Sequence, residues 1–346
     1  MGIHQITPTD GQKLAMAKGW IDTIEGTKFF VVGGAGFIGA HFVDYLLGHG
    51  ASRVTIYDNF SSGREWHVEP HSKDARFTIA RGNVEDLPAL RQAMDGHEVV
   101  IHLASNPDIA RAAVEPDVDF YQGTALTNSV VEAMRTTSAK RILYASGSGV
   151  YGDFGQKEIP EDQGGLLPIS TYGASKLAGE ALIASYSFMF GISGCAFRFG
   201  NVVGPRQTHG VGFDFARRLL DDPTQLRILG DGSQSKSYVH ISDIIAAVLR
   251  AHAHTETAYQ VYNVATGDTI TVREIAELAV ECVGLSPAQV RFDYTGGDRG
   301  WKGDVPVVRL ATERIRGLGW APKHTSREAL RRAIDAMLPD LKTGRM

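Results

Sequence analysis

A chain of 346 residues, 43% hydrophobic and 21% charged, has the make-up of an ordinary soluble globular protein, with room for one large domain or two moderate ones. Its net charge of −4 offers no basic surface for nucleic acid, and no apolar run approaches the roughly 20 residues of a membrane span. Cys195 and Cys282 lie far apart with no metal-ligand spacing, so both are expected to stay reduced in a cytoplasmic protein.

Residues 1–26 lack the apolar core of a secretion signal. They read as an N-terminal extension, either disordered or capped by Thr9 or Asp10 into a short helix through Trp20. The apolar run 28–32 stops at a glycine cluster and reads as a buried parallel strand. Gly33-Gly-Ala-Gly36-Phe-Ile-Gly39 follows at once and opens a helical pattern at 41–47. Glycine is needed there where the chain bends, where backbone approaches a pyrophosphate, and where helix meets strand. The phosphates then sit at the positive helix N-terminus. A second strand at 53–57 leads to Asp58, 19 residues beyond Gly39. That offset suits a carboxylate accepting from the adenosine ribose hydroxyls. An acid repels a 2′-phosphate, so NAD is favoured over NADP, with Arg64 nearby leaving the preference open.

The alternation continues with strands at 76–80, 99–103, 141–145 and 194–199, and a helix at 118–135. Strands alternating with helices predict an α/β fold: a Rossmann-type doubly wound parallel sheet with its ligand at the carboxyl ends of the strands. After about residue 204 the rhythm breaks. Helices at 213–220, 243–252, 272–283 and 326–337, separated by glycine-rich loops and short strands, predict a smaller C-terminal α/β substrate lobe. The expected division is an NAD-binding domain at 27–203, with possible later returns, and a lobe at mainly 204–340.

Tyr172 and Lys176 stand four residues apart, on one face if the segment is helical. A nearby ammonium favours the phenolate and is expected to lower the tyrosine pKa, making Tyr172 a base for a substrate alcohol. Taken alone the spacing is weak, but behind a dinucleotide turn it gains weight.

Several stretches then match a known family in order: Gly33 to Gly39, Tyr57-Asp-Asn-Phe-Ser-Ser-Gly63, Val100-Ile-His-Leu-Ala104, Val150-Tyr-Gly152, Tyr172 to Lys176, Arg198-Phe-Gly-Asn201, Gly204-Pro-Arg206, Leu229-Gly-Asp-Gly232, Tyr238-Val-His-Ile-Ser-Asp243 and Gly317-Leu-Gly-Trp320. Over about residues 27 to 338 the chain resembles the extended short-chain dehydrogenase/reductases of the NAD-dependent sugar epimerase/dehydratase group, and UDP-glucose 4-epimerases in particular. The resemblance implies that Gly33, Gly36, Phe37 and Ile38 hold the pyrophosphate. It places Asp58, Asn59 and Ser61 at the adenosine ribose, Asn83 and Val84 beside adenine, and Leu103, Ala104 and Ser105 along the nicotinamide ribose. Tyr172 would be the base and Lys176 would hold that ribose. Asn201 would touch the phosphates of a nucleotide sugar, with the 226–229 strand, Lys236 and Arg299 forming the nucleotide site. His209 falls in a substrate loop. A homodimer, packed through the helices at 118–135 and 172–190, is a further implication.

Three departures shape the reading. The family carries Ser or Thr four residues before the tyrosine of Val150-Tyr151-Gly152, where this chain has Gly147. Either Ser148 by preference, or Ser146, supplies the hydroxyl, or Gly147 makes room for a bulkier substrate. Lys236 stands where Arg is usual and lacks the bidentate fork. Ser148 and Gly149 occupy the positions where resembling 4,6-dehydratases carry an acid pair, and elimination needs such a pair. The chain therefore reads as a nucleotide-sugar 4-epimerase acting on a UDP-hexose or UDP-hexuronate by transient C4 oxidation. The rivals are a dehydratase or decarboxylase using Asp153 or Glu161, and a non-catalytic NAD-binding protein. His102, His209 and His240 are scattered, no metal site is expected, and His102 reads as a core histidine.

Overall fold

The structure, a computed structural model, describes residues 23–106 and 111–345. The helix expected between Thr9 and Trp20 lies outside them. Its centre is a sheet of seven strands: β1 (Lys28–Val32), β2 (Arg53–Asp58), β3 (Phe77–Arg81), β4 (Val99–His102), β5 (Arg141–Gly147), β6 (Ser193–Phe199) and β7 (Tyr259–Val264). Their spatial order is β7-β6-β5-β4-β1-β2-β3, and every pairing is parallel. The order reverses between β1 and β4, which opens a crevice at the carboxyl ends of those strands.

Among the described residues, eight helices of eight residues or more complete the frame: α1 (Phe37–Gly48), α2 (Leu87–Met94), α3 (Leu126–Arg135), α4 (Thr171–Phe190), α5 (Val211–Asp221), α6 (Ile241–His254), α7 (Val272–Cys282) and α8 (Ser326–Thr343). One face of the sheet is covered by α1 and α6, through Phe42, Leu46, Ile244 and Val248. The other is covered by α2, α3 and α4, through Leu90, Met94, Val130, Met134 and Ile183. A separate core joins α5, α7 and α8 to the strand Gln225–Ile228 around Phe213, Leu226, Ile275 and Leu330.

Two features differ from the sequence reading. A seventh strand joins the sheet from the C-terminal half, where β7 lies beside β6 from Tyr259↔Gly194 to Val264↔Phe199. Its first three residues are only half-buried, as befits an edge strand, so no apolar run announces it. The helix expected over 118–135 also opens with a widened turn, Phe120–Ala125, before α3. Gly123 sits against α4 there, and a Cβ at that position would come 2.6 Å from Ser175 Oγ.

Helix α4 is well delimited. Ser170 caps it by accepting from Gly173 N, and Gly191 ends it at φ 68°, a left-handed conformation that glycine adopts without strain. A buried ion pair fastens its middle to the sheet. Arg198 on β6 meets Glu180 on α4 at 2.7 Å, both side chains 5% exposed. Removing one partner leaves the other charge buried and uncompensated. Arg198→Met or Glu180→Ala should each lower stability by about 3–5 kcal/mol in urea denaturation, and a loss under about 1 kcal/mol would show the pair to be dispensable.

Candidate active site

The glycine turn sits where β1 meets α1. Gly33 has φ +81°, and a Cβ on it would come 2.7 Å from Ala104 N. A Cβ on Gly34 would meet Ile56 Cγ2 at 2.4 Å, and one on Gly39 would meet the Gly33 carbonyl at 2.5 Å. Gly36 is the N-cap of α1, without a side-chain cap or an acid in the first turn. The positive end of α1, including Phe37 and Ile38, is thus left to an anionic ligand. Asp58 ends β2 beside this turn. It accepts from Ala35 N at 2.9 Å through one oxygen and from Phe60 N at 2.8 Å through the other. Burial pushes its carboxyl pKa up, and those two amides pull it back. Each oxygen keeps a lone pair for a further donor. Arg64 curls onto the carbonyls of Ser62 and Gly63.

Around this turn, Asn59 Oδ1 accepts from Ser61 N, and the Asn83 carbonyl accepts from Tyr57 Oη. Val84 is buried. Leu103 N and Ala104 N both donate to the Val32 carbonyl, so the end of β4 lies directly beside the turn. These residues fit a dinucleotide: an uncapped helix end, a carboxylate one strand over, and a floor that tolerates no side chains.

Tyr172 and Lys176 share one face of α4, with Lys176 Nζ 5.5 Å from the centre of the Tyr172 ring. Lys176 is buried, donates to the Ala145 carbonyl at 2.9 Å and lies 5.2 Å over the Tyr144 ring. Desolvation brings its pKa down to about 8. The expected lowering of the tyrosine pKa is not seen in the protein alone. Burial, with the Asp119 carboxylate adding to it, pushes Tyr172 up to about 12, and only a hydrogen bond with Ser105 pulls the other way. The lysine is engaged by Ala145 O rather than by the phenol oxygen.

The structure separates the serines. Ser146 is buried and donates to Glu180 Oε1 at 2.6 Å, which commits it to the α4–β6 ion pair rather than to the cleft. Ser148 makes no side-chain hydrogen bond among the described residues. Gly147 between them is extended, and a Cβ built on it meets nothing within 4 Å. The acids considered for elimination are engaged too. Asp153 pairs with Arg299 at 2.7 Å, and Glu161 accepts from Asn263 N at 2.9 Å.

Lys236 pairs with the buried Asp304 at 2.5 Å, and Arg299 also donates to the Asp304 carbonyl. The two cations thus converge on Asp304, Lys236 at its carboxylate and Arg299 at its backbone carbonyl. Asn201 lies exposed on the short strand Asn201–Val203, paired with Tyr238–His240, and His209 is exposed in the loop ahead of α5. His102 is fully buried, its Nε2 bonded to Thr127 Oγ1 at 3.1 Å. Among the described residues no group of three His, Cys, Asp or Glu is arranged for a metal. The acids Asp119 and Asp304 are absent from the sequence reading, because neither stands at a motif offset from the tyrosine or the lysine it influences.

A crevice at the switch point of a doubly wound sheet, floored by a glycine turn and edged by a Tyr-Lys pair, defines a dinucleotide-dependent enzyme class. The pattern of the NAD dependent epimerase/dehydratase family matches residues 29–265, and the chain belongs to this family, whose cofactor is NAD. Over 316 residues it is 30% identical to a UDP-glucose 4-epimerase of Mycolicibacterium smegmatis, covering 89% of this chain and 97% of that one. Over 316 residues it is 28% identical to a dTDP-glucose 4,6-dehydratase of Streptomyces griseus, covering 87% and 95%. A crystal structure of UDP-galactose 4-epimerase matches with TM-score 0.79 and 34% identity, over 91% of this chain and 100% of that one.

Asp58→Ala should weaken NAD binding by at least about tenfold, or about 1.4 kcal/mol, in calorimetric titration. Unchanged affinity would remove Asp58 from the ribose site.

Proposed function

We propose that the protein is an NAD-dependent nucleotide-sugar 4-epimerase acting on a UDP-hexose or UDP-hexuronate in the cytoplasm. One observation supports the choice between the family's chemistries: among the described residues, no free carboxylate pair stands beside Tyr172. Ser148 and Gly149 fill the two positions, and Asp153 and Glu161 are held by Arg299 and by Asn263 N. Elimination of water needs a positioned acid and base, whereas epimerisation needs one group that takes and returns the same proton.

Tyr172 takes the proton of the sugar 4-hydroxyl and later gives it back, with Ser105 holding the phenol and Lys176 the nicotinamide ribose. NAD, when bound, supplies oxidation at C4 and its reversal from the opposite face, and its positively charged ring favours the phenolate. Gly33, Gly36, Phe37 and Ile38 would carry the pyrophosphate and Asp58, Asn59 and Ser61 the ribose, with Asn83 and Val84 at the base. Lys236 and Arg299 would exchange part of their pairing with Asp304 and Asp153 for a sugar-nucleotide diphosphate, helped by Asn201 and His209. The lobe after residue 204 would enclose that nucleotide.

A homodimer is part of the reading. Exposed Phe120 and Tyr121 precede α3, and Ala181, Ser185 and Phe188 are exposed at i, i+4 and i+7 along α4, a face suited to a second copy.

Proton NMR in deuterium oxide, with UDP-glucose, UDP-N-acetylglucosamine and UDP-glucuronate offered in turn, tests the chemistry. A 4-epimer without ring deuterium is expected, while a 4-keto-6-deoxy product deuterated at C5 would overturn it in favour of a dehydratase. Tyr172→Phe should cut turnover by about 10²–10⁴-fold. Ser148→Ala should cost about tenfold, and Gly147→Ser, which has open space to enter, should restore it. Full activity of the single Ser148→Ala variant would show that the Ser148 hydroxyl is not used.

A further inference from the structure

One acid touches the tyrosine site without belonging to any motif. Asp119 sits just before the widened turn Phe120–Ala125 and is 1% exposed. Its Oδ2 accepts from Thr171 Oγ1 at 2.7 Å, and Thr171 is the first residue of α4 and the neighbour of Tyr172. Its Oδ1 accepts from Asn106 Nδ2 at 2.9 Å, and Asn106 follows Ser105, the residue that hydrogen-bonds the phenol. One carboxylate therefore ties together the two segments that flank Tyr172: the loop after β4 and the start of α4. Both donors are neutral, and among the described residues no Lys or Arg forms an ion pair with it. With no direct ion pair to neutralise it, its charge reaches the buried Tyr172 and Lys176 by Coulomb interaction.

Among the described residues, the other polar groups facing the pair are Ser105 from the loop after β4, Tyr144 from β5 and His102 from β4. Ser105 and Tyr144 are neutral hydroxyls, and burial holds the His102 ring neutral by pushing its pKa down to about 3. Asp119 is thus the anion that both members of the pair feel, and it favours the protonated form of each.

We propose that Asp119 is a positioning residue for the reaction: it locks Ser105 and Tyr172 into one geometry and, through its negative charge, sets the pH range in which Tyr172 gives up its proton. This rests on Tyr172 being the base. Asp119→Asn keeps the shape and removes the charge, and the Thr171 hydroxyl can turn to accept where it now donates.

The test is an ultraviolet difference titration of the phenolate in NAD-loaded protein, each form referenced to its own Tyr172→Phe variant so that Tyr172 alone is counted. Asp119→Asn should move the midpoint to lower pH by about one unit or more. The acidic limb of the kcat profile should move with it, while KM changes less than about threefold, because the residue acts on the base through the segments that hold it. Thr171→Val removes one hydrogen bond but keeps the charge, and should leave the midpoint in place. Asp119→Ser serves as the neutral variant if Asp119→Asn does not fold. A midpoint unmoved in the neutral variant, or moved as far by Thr171→Val, overturns the proposal. The titration needs no turnover, so a shifted midpoint without epimerisation would reject the proposed reaction and leave the role of Asp119 standing.

Discussion

The Gly33–Gly39 turn has no room for side chains, and much of the molecule follows from that. Gly33 lies against Ala104, Gly34 against Ile56, and Gly39 against Gly33 itself, each within distances that a Cβ would violate. This closeness sets the end of β4 beside the end of β1 and brings Asp58 onto the amide of Ala35. A cleft for an anionic, elongated cofactor is the result of backbone meeting backbone, and its positive pole is the uncapped start of α1.

The reactive edge is held from behind by buried polar contacts. Glu180 of α4 takes both Arg198 of β6 and Ser146 of β5, and Arg198 reaches the Glu161 carbonyl. Glu161 in turn accepts from Asn263 N on β7, while the Asn263 side chain receives Tyr151 Oη and donates to the carbonyls of Ile159 and Ala311. A strand contributed by the C-terminal half thereby stiffens the loop that leads to the Tyr172 helix. Networks of this kind are strong when complete and costly when broken.

Charge in the cleft is nearly balanced within the protein. Lys236 leans on Asp304, Arg299 on Asp153, and Lys176 on a carbonyl and two aromatic rings. The groups best suited to hold phosphates are therefore kept in place by acids, which limits the desolvation and disorder that free cations in a cleft would suffer. Tyr172 is treated differently, since burial, with the Asp119 carboxylate adding to it, holds its phenol protonated in the protein alone.

Local chemistry was legible in the sequence. The glycine turn with Asp58, the strand and helix alternation up to residue 199, and the Tyr172–Lys176 face are each marked by a fixed spacing or a local periodicity, so the chain itself reveals them. The family resemblance located Lys236 and Arg299 but not their partners. Only the tertiary structure decided that β7 joins the sheet, that Ser146 turns to Glu180 while Ser148 stays unengaged, and that the buried Asp119 is tied to the start of α4 beside the phenol. Those outcomes join residues 34 to 65 positions apart, or depend on how deeply a charge is buried, and a periodicity along the chain carries neither kind of information.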